Sequence, residues 1–292
     1  MSILRASPVL LLACGSAAPA PATPAPPRVT FGTSVALFAP GVVSSEHSEI
    51  RLAVSPDGDT VLWGSIDRAG GPGSWDIWCS RRVGDAWSAP VAVAFDSPDK
   101  DFDPAYSPDG RWVYFFSNRP GGAGGDDLYR AAVTGDGFGP AEHLGPEVNT
   151  AGDEWAPAPS PDGKALMFAS NRPGEKHDLF VAELRGDGFA PAQPLPGAVN
   201  TPGDEFDATF LPDGRSIVFS RSADLESQPI KLVLASRGAA GFDAGTELPA
   251  TINAGDATFG PAVHGSTLYF TSRRPEAAAG KMDIYRVDFT SR

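Results

Sequence analysis

A turn tetrapeptide recurs along this chain at an almost fixed interval, and that period limits what the chain can fold into. Ser-Pro-Asp-Gly stands at residues 55–58, 107–110 and 160–163, and Leu-Pro-Asp-Gly at 211–214. An apolar run carrying an aromatic ring follows each turn, at Trp63, Phe115, Phe168 and Phe219, and a fifth run without the tetrapeptide reaches Phe270. The rings are 51–53 residues apart. Proline presets the backbone for the second position of a tight turn, and glycine supplies the positive φ that closes it. A unit of this length with a hairpin at its start has room for four short strands, which is the signature of a propeller blade.

Two further markers keep the same period. Asp76-Ile77-Trp78, Asp127-Leu128-Tyr129, Asp178-Leu179-Phe180 and Asp283-Ile284-Tyr285 open a third strand, with Lys231-Leu232 in the fourth copy. Trp87, Phe138, Phe189 and Phe242 open a fourth. Residues 31–40 read as a fourth strand with no first three before it, while the fifth copy ends after its third strand. The two ends together complete one blade. The expected fold is therefore all-β, a five-bladed propeller of four antiparallel strands per blade, closed by the N-terminal strand. Pro104, Pro157 and Pro261 share one register of the first strand. Proline lacks the ladder donor and belongs on an edge, which suits an innermost strand facing the axis.

The run of residues 149–163 (NT-x-GDE-x-x-P-x-x-SPDG), then SNRPGG at 117–122 and DLY at 127–129, resembles the TolB-like, WD40-like propeller repeat family. The resemblance spans nearly the whole chain after residue 28. It implies an envelope or periplasmic protein that binds another protein at one propeller face. Five copies depart from the six blades of the best-known members, and the resemblance assigns no catalytic residue.

The first 27 residues stand apart from this pattern. Arg5 followed by a short apolar stretch ending Leu11-Leu12-Ala13-Cys14 fits a signal peptide over residues 1–13, being too short to span a membrane. Its end resembles the bacterial lipobox, which implies lipidation at Cys14, and residues 14–27 form a Pro/Ala-rich spacer before a single domain at 28–292. The expectation is an exported, lipid-anchored envelope protein facing the periplasm or the cell surface, and a monomer. Its partner would be an envelope protein or a small ligand. The formal net charge of −13 argues against nucleic acid, and against membrane contact other than through the anchor. Cys79 lies in an apolar run and reads as a buried thiol.

Three sets of residues carry candidate chemistry. Glu49, Asp101, Glu154 and Glu205 lie seven residues before each turn proline, with Asp103 and Asp207 two residues further on. As starts of the innermost strands they are expected to ring one mouth of the axial channel. There they would hold a cationic segment or a divalent cation, the one cofactor such a ring suits. The bland alternative is that each caps backbone donors at its own strand start. Arg119, Arg172 and Arg274 recur together with Asp127, Asp178 and Asp283, and both members are missing from the fourth copy, which predicts intrablade salt bridges between them, with anion binding as the alternative. His47, His143, His177 and His264 fall at unlike repeat positions and read as surface or loop residues. There is no G-x-S-x-G, H-E-x-x-H or C-x-x-C. Binding is the expected role. The alternative from another class is a glycoside hydrolase-type five-bladed propeller using the channel-mouth carboxylates.

Overall fold

Five antiparallel sheets form the molecule, and the ruler in the sequence marks their borders. The computed structural model describes residues 28–274 and 281–291, apart from residues 136 and 173. The proposed signal and anchor segment, Cys14 included, lies outside the described residues. Blade 1 runs outward through Ser48–Val54, Thr60–Ile66, Trp75–Val83 and a broken outer strand, Ala86–Trp87 with Val91–Ala92. Blade 2 is Asp101–Tyr106, Trp112–Ser117, Asp127–Thr134 and Gly137–His143. Blades 3 and 4 begin at Glu154–Pro159 and Asp204–Phe210 and repeat the order. Blade 5 takes Ala257–His264, Thr267–Arg273 and Asp283–Ser291 from the end of the chain. Its outer strand comes from the start of the chain: Val29 pairs with Ser291, Phe31 with Phe289 and Leu37 with Tyr285.

The turns close for the expected reason. Gly58, Gly110, Gly163 and Gly214 all have φ between 63° and 79°. In the first three turns the serine hydroxyl donates to the aspartate two residues on, and accepts the amide five residues on: Ser55 Oγ to Asp57 Oδ1 is 2.5 Å and Thr60 N to Ser55 Oγ is 2.9 Å. The ring residues Trp63, Phe115, Phe168, Phe219 and Phe270 are all buried on the second strands. Cys79 is buried as well.

The innermost strands carry a feature absent from the expectation. Each contains a β-bulge, and the residue in it takes a left-handed backbone: Arg51, Asp103, Ala156, Asp207 and Gly260 have φ of 48° to 59°. Pro104, Pro157 and Pro261 each follow such a residue, inside the register shift where no ladder bond is due. The bulge ends the strict alternation of faces, so residues two apart across it no longer point the same way.

Candidate functional site

The four acids at the strand starts are fully buried, and each is bonded at its own strand start rather than aimed at a shared mouth. A hydroxyl residue four positions earlier wraps the carboxylate with its amide and its side chain. Glu154 accepts Thr150 N at 2.8 Å and Thr150 Oγ1 at 2.7 Å, and Glu205 accepts the same pair from Thr201. Ser45 does this for Glu49 and Ser97 for Asp101. In blade 5 the neutral Thr258 bonds Ala254 O and Ser272. Among the described residues no group of three acidic, histidine or cysteine side chains is placed to hold a metal ion. The expected ring of Glu49, Asp101, Glu154 and Glu205 is thus a repeated cap. Local hydroxyls four residues upstream outcompete the axis for the carboxylates.

Two of the recurrent arginines, Arg119 and Arg172, meet these acids rather than Asp127 and Asp178. Arg119 pairs with Asp101, and Arg172 with Glu154 at 3.3 Å. Asp127 accepts the amides of Ala123 and Gly124 and so folds the preceding loop, as Asp76 does through Gly73 N. The expected pairing of Arg119 with Asp127 and of Arg172 with Asp178 is corrected accordingly. The fourth blade has not lost the device either. Arg221, two positions earlier in its strand, reaches Glu205 at 2.7 Å and the Val199 carbonyl at 2.7 Å. Arg119, Arg172 and Arg274 likewise donate to the Phe95, Val148 and Ile252 carbonyls. All four lie over the buried second-strand ring of their own blade, with guanidinium carbons 5.0–5.5 Å from the Phe115, Phe168, Phe219 and Phe270 centroids. Asp283 is buried at the start of the third strand of blade 5.

The charges that do meet on the axis come from the bulges. Arg51 leaves blade 1 and crosses to the far side of the ring, where Nη2 donates to Pro157 O at 3.2 Å and Ala208 O at 3.1 Å. Asp103 and Asp207 are buried beside it in the same layer. Burial, and then the charge of Asp207, drives the Asp103 carboxyl well above the usual carboxylate range. Burial also raises Asp207, to about 6, against the opposing pull of Arg51 and the Gly260 amide, which donates at 3.2 Å. Asp103 and Asp207 therefore do not share a strand face with Asp101 and Glu205.

Above this layer, on the side of the turns, all five blades enclose a pocket of about 290 Å³. Its wall is made of the turn prolines Pro56, Pro108, Pro161 and Pro212 with Tyr106 and Phe210, and Arg51 borders it. Neither Asp103 nor Asp207 does. A second buried polar cluster lies at the opposite end of the inner strands. His177 stacks on Trp155 with centroids 3.9 Å apart and holds Asp204 at 3.4 Å, and Trp155 Nε1 donates to Asp126 at 2.9 Å. His177 is buried, against the expectation of a surface residue, and burial lowers its pKa.

No known protein-family model matches the chain. A protein assigned as TolB from Agrobacterium tumefaciens superposes with a TM-score of 0.51 over 84% of this chain and 91% of its own, at 15% identity. The chain shares the β-propeller fold of that protein. TolB of Acinetobacter baumannii overlays with a TM-score of 0.49 at 14% identity, over 83% of this chain and 54% of that one. The same architecture aligns with the α-L-arabinofuranosidase PaAbf62A of Podospora anserina (TM-score 0.52, 9% identity, 86% of this chain and 92% of that one). By sequence, the uncharacterized protein Atu1656 of Agrobacterium fabrum is 39% identical over 67 residues, 23% of this chain. That match spans about a fifth (20%) of the curated relative's length. What sequence reasoning missed in this propeller is the Arg51, Asp103, Asp207 layer. Its one visible trace is Gly260, the single glycine among five residues that share a left-handed backbone.

Proposed function

We propose that this chain is an exported, lipid-anchored binding scaffold of the bacterial envelope, presenting the turn face of its propeller to a protein or a small ligand. The observation that carries the reading is the axial pocket, to which every blade contributes a strand end or a turn. Pockets of this kind, apolar with few polar groups, are where small ligands and chain segments bind. Its border supports binding over hydrolysis. Glycoside hydrolysis needs two carboxyl groups that both reach the substrate. The acids nearest the axis, Asp103 and Asp207, are 5% and 4% exposed and lie outside the pocket wall.

Two experiments test the proposal. A photo-reactive amino acid at Asp109 or Lys164, on the turns, should give adducts in intact cells, identified by mass spectrometry. The same group at Val91, exposed on an outer strand, should give none. Adducts from Val91 alone would remove the turn face from consideration. Cys14→Ser should move the protein from the membrane fraction to the soluble fraction with an unchanged melting curve. Retention of the variant in membranes would dismiss the anchor.

A further inference from the structure

We propose that the axial pocket is a carboxylate site, taking one ionised carboxylate on a small apolar body with Arg51 as the group that receives it. This rests on the binding reading of the turn face and names the chemistry of the ligand. The chain carries 36 acidic and 23 basic residues, so a pocket without an acid is a departure from its surroundings. The pocket wall holds no aspartate or glutamate, and Arg51 is its one lysine or arginine. The rest is proline, alanine, valine, leucine and glycine, with Tyr106 and Phe210 as rings and Ser107, Thr209 and His264 as polar groups.

Arg51 is only 3% exposed, and two hydrogen bonds from Nη2 use a minority of its five N–H groups. Its Nη1 is buried with no acceptor among the described residues. An unfilled donor on a buried cation is costly, and a carboxylate oxygen is the acceptor that a charged N–H holds most strongly. The nearby acids do not fill that place. Gly260 N–H holds Asp207 outside the pocket wall, and the Asp103 carboxyl is pushed toward its neutral form by burial and by Asp207. Asp126 also acts on Asp103, and His264 stands in the pocket wall. The left-handed backbone at Arg51, φ 48°, sets the side chain across the axis, so the cation is fixed before any ligand arrives. At about 290 Å³ the pocket admits a small organic acid or the last residue of a peptide, and excludes a folded domain.

Calorimetric titration of the full chain decides the matter. The probes are 3-phenylpropionate against its uncharged amide, and a short peptide ending in phenylalanine with a free against an amidated terminus. The acid form of at least one pair should bind about tenfold or more tighter than its amide. Which pair shows the preference tells whether the carboxylate comes from a free acid or a chain end. Arg51→Lys should cut that preference, because a single ammonium nitrogen cannot stand both at the two carbonyls and where Nη1 stands. Removal of Arg51 risks the fold, so Ala105→Phe serves as the second variant. It fills the pocket without touching the Arg51 hydrogen bonds and should abolish acid binding while the melting curve holds. Equal affinity of acid and amide in both pairs, or acid binding unchanged by Ala105→Phe, would overturn the site. Turn-face adducts that persist in that event would leave the scaffold reading standing, whereas their loss would remove both.

Discussion

Asp96 does in blade 1 what asparagine does in three others. Asn149, Asn200 and Asn253 each accept the amide and donate to the carbonyl of one third-strand leucine, at 2.8–3.0 Å. Asp96 accepts the Ile77 amide at 3.0 Å, and an ionised carboxylate has nothing to donate in return. Burial, then Asp101 and Asp76, raise its pKa to about 9. A raised carboxyl keeps its proton in the folded state, so its contribution is full below the unfolded pKa, about 4, and drains away as pH climbs toward 9. Asp96→Asn should therefore raise the melting temperature by about 2–6 °C at pH 8 and leave it nearly unchanged at pH 4.5, as read by scanning calorimetry. The arginine caps are the second residue-scale device. Arg119→Ala leaves Asp101 buried without its cation and should cost about 3–5 kcal/mol in urea unfolding. A double-mutant cycle should couple Arg119 to Asp101 by roughly 1–3 kcal/mol and to Asp127 by about zero.

At the scale of elements, the outer strand of blade 5 is the joint of the ring. Phe31 packs against Phe289 with ring centroids 5.9 Å apart, and Val29, Phe31, Val35 and Leu37 cover the buried cluster around Phe270 and Tyr285. Deleting residues 28–37 should expose that cluster and an unpaired strand edge, seen as aggregation and a lowered urea midpoint. A truncated chain as stable and monomeric as the intact one would refute the joint. This joint was legible in the sequence because strand content and turn chemistry are local and repeat with the blade. The site was legible only in part. The pattern located Glu49, Asp101, Glu154 and Glu205 at strand starts but not the direction of their side chains. The signal that settles it, Ser45, Ser97, Thr150 and Thr201 four residues earlier, was present and unread. The axial layer leaves less trace still. A bulge turns Arg51, Asp103 and Asp207 out of the alternation by backbone twist, which a list of residue types does not encode.

Taken as one body, the molecule stores protons. Burial raises Glu49 to about 7 and Asp207 to about 6, and Asp96 and Asp103 join them. All four hold the folded state more firmly when protonated, so stability falls as pH rises from about 4 toward 9. The turn acids work in the opposite sense. Hydrogen bonds from Ser55, Ser107 and Ser160 lower Asp57, Asp109 (to about 2) and Asp162, and that share is lost as pH falls below about 4. Melting temperature should peak near pH 5 and decline toward pH 8, measured by calorimetry at constant ionic strength. A flat profile across that range would mean that the buried carboxyls titrate normally. The pairing of Val29 with Ser291 has a different kind of consequence. It sets residue 29 opposite residue 291, so a short splice there could seal the polypeptide into a loop. The Pro-Asp-Gly turns at 56–58, 108–110, 161–163 and 212–214 then become interchangeable places to cut it open. Four differently permuted genes would describe one and the same wheel, whose spokes have an order but no first member.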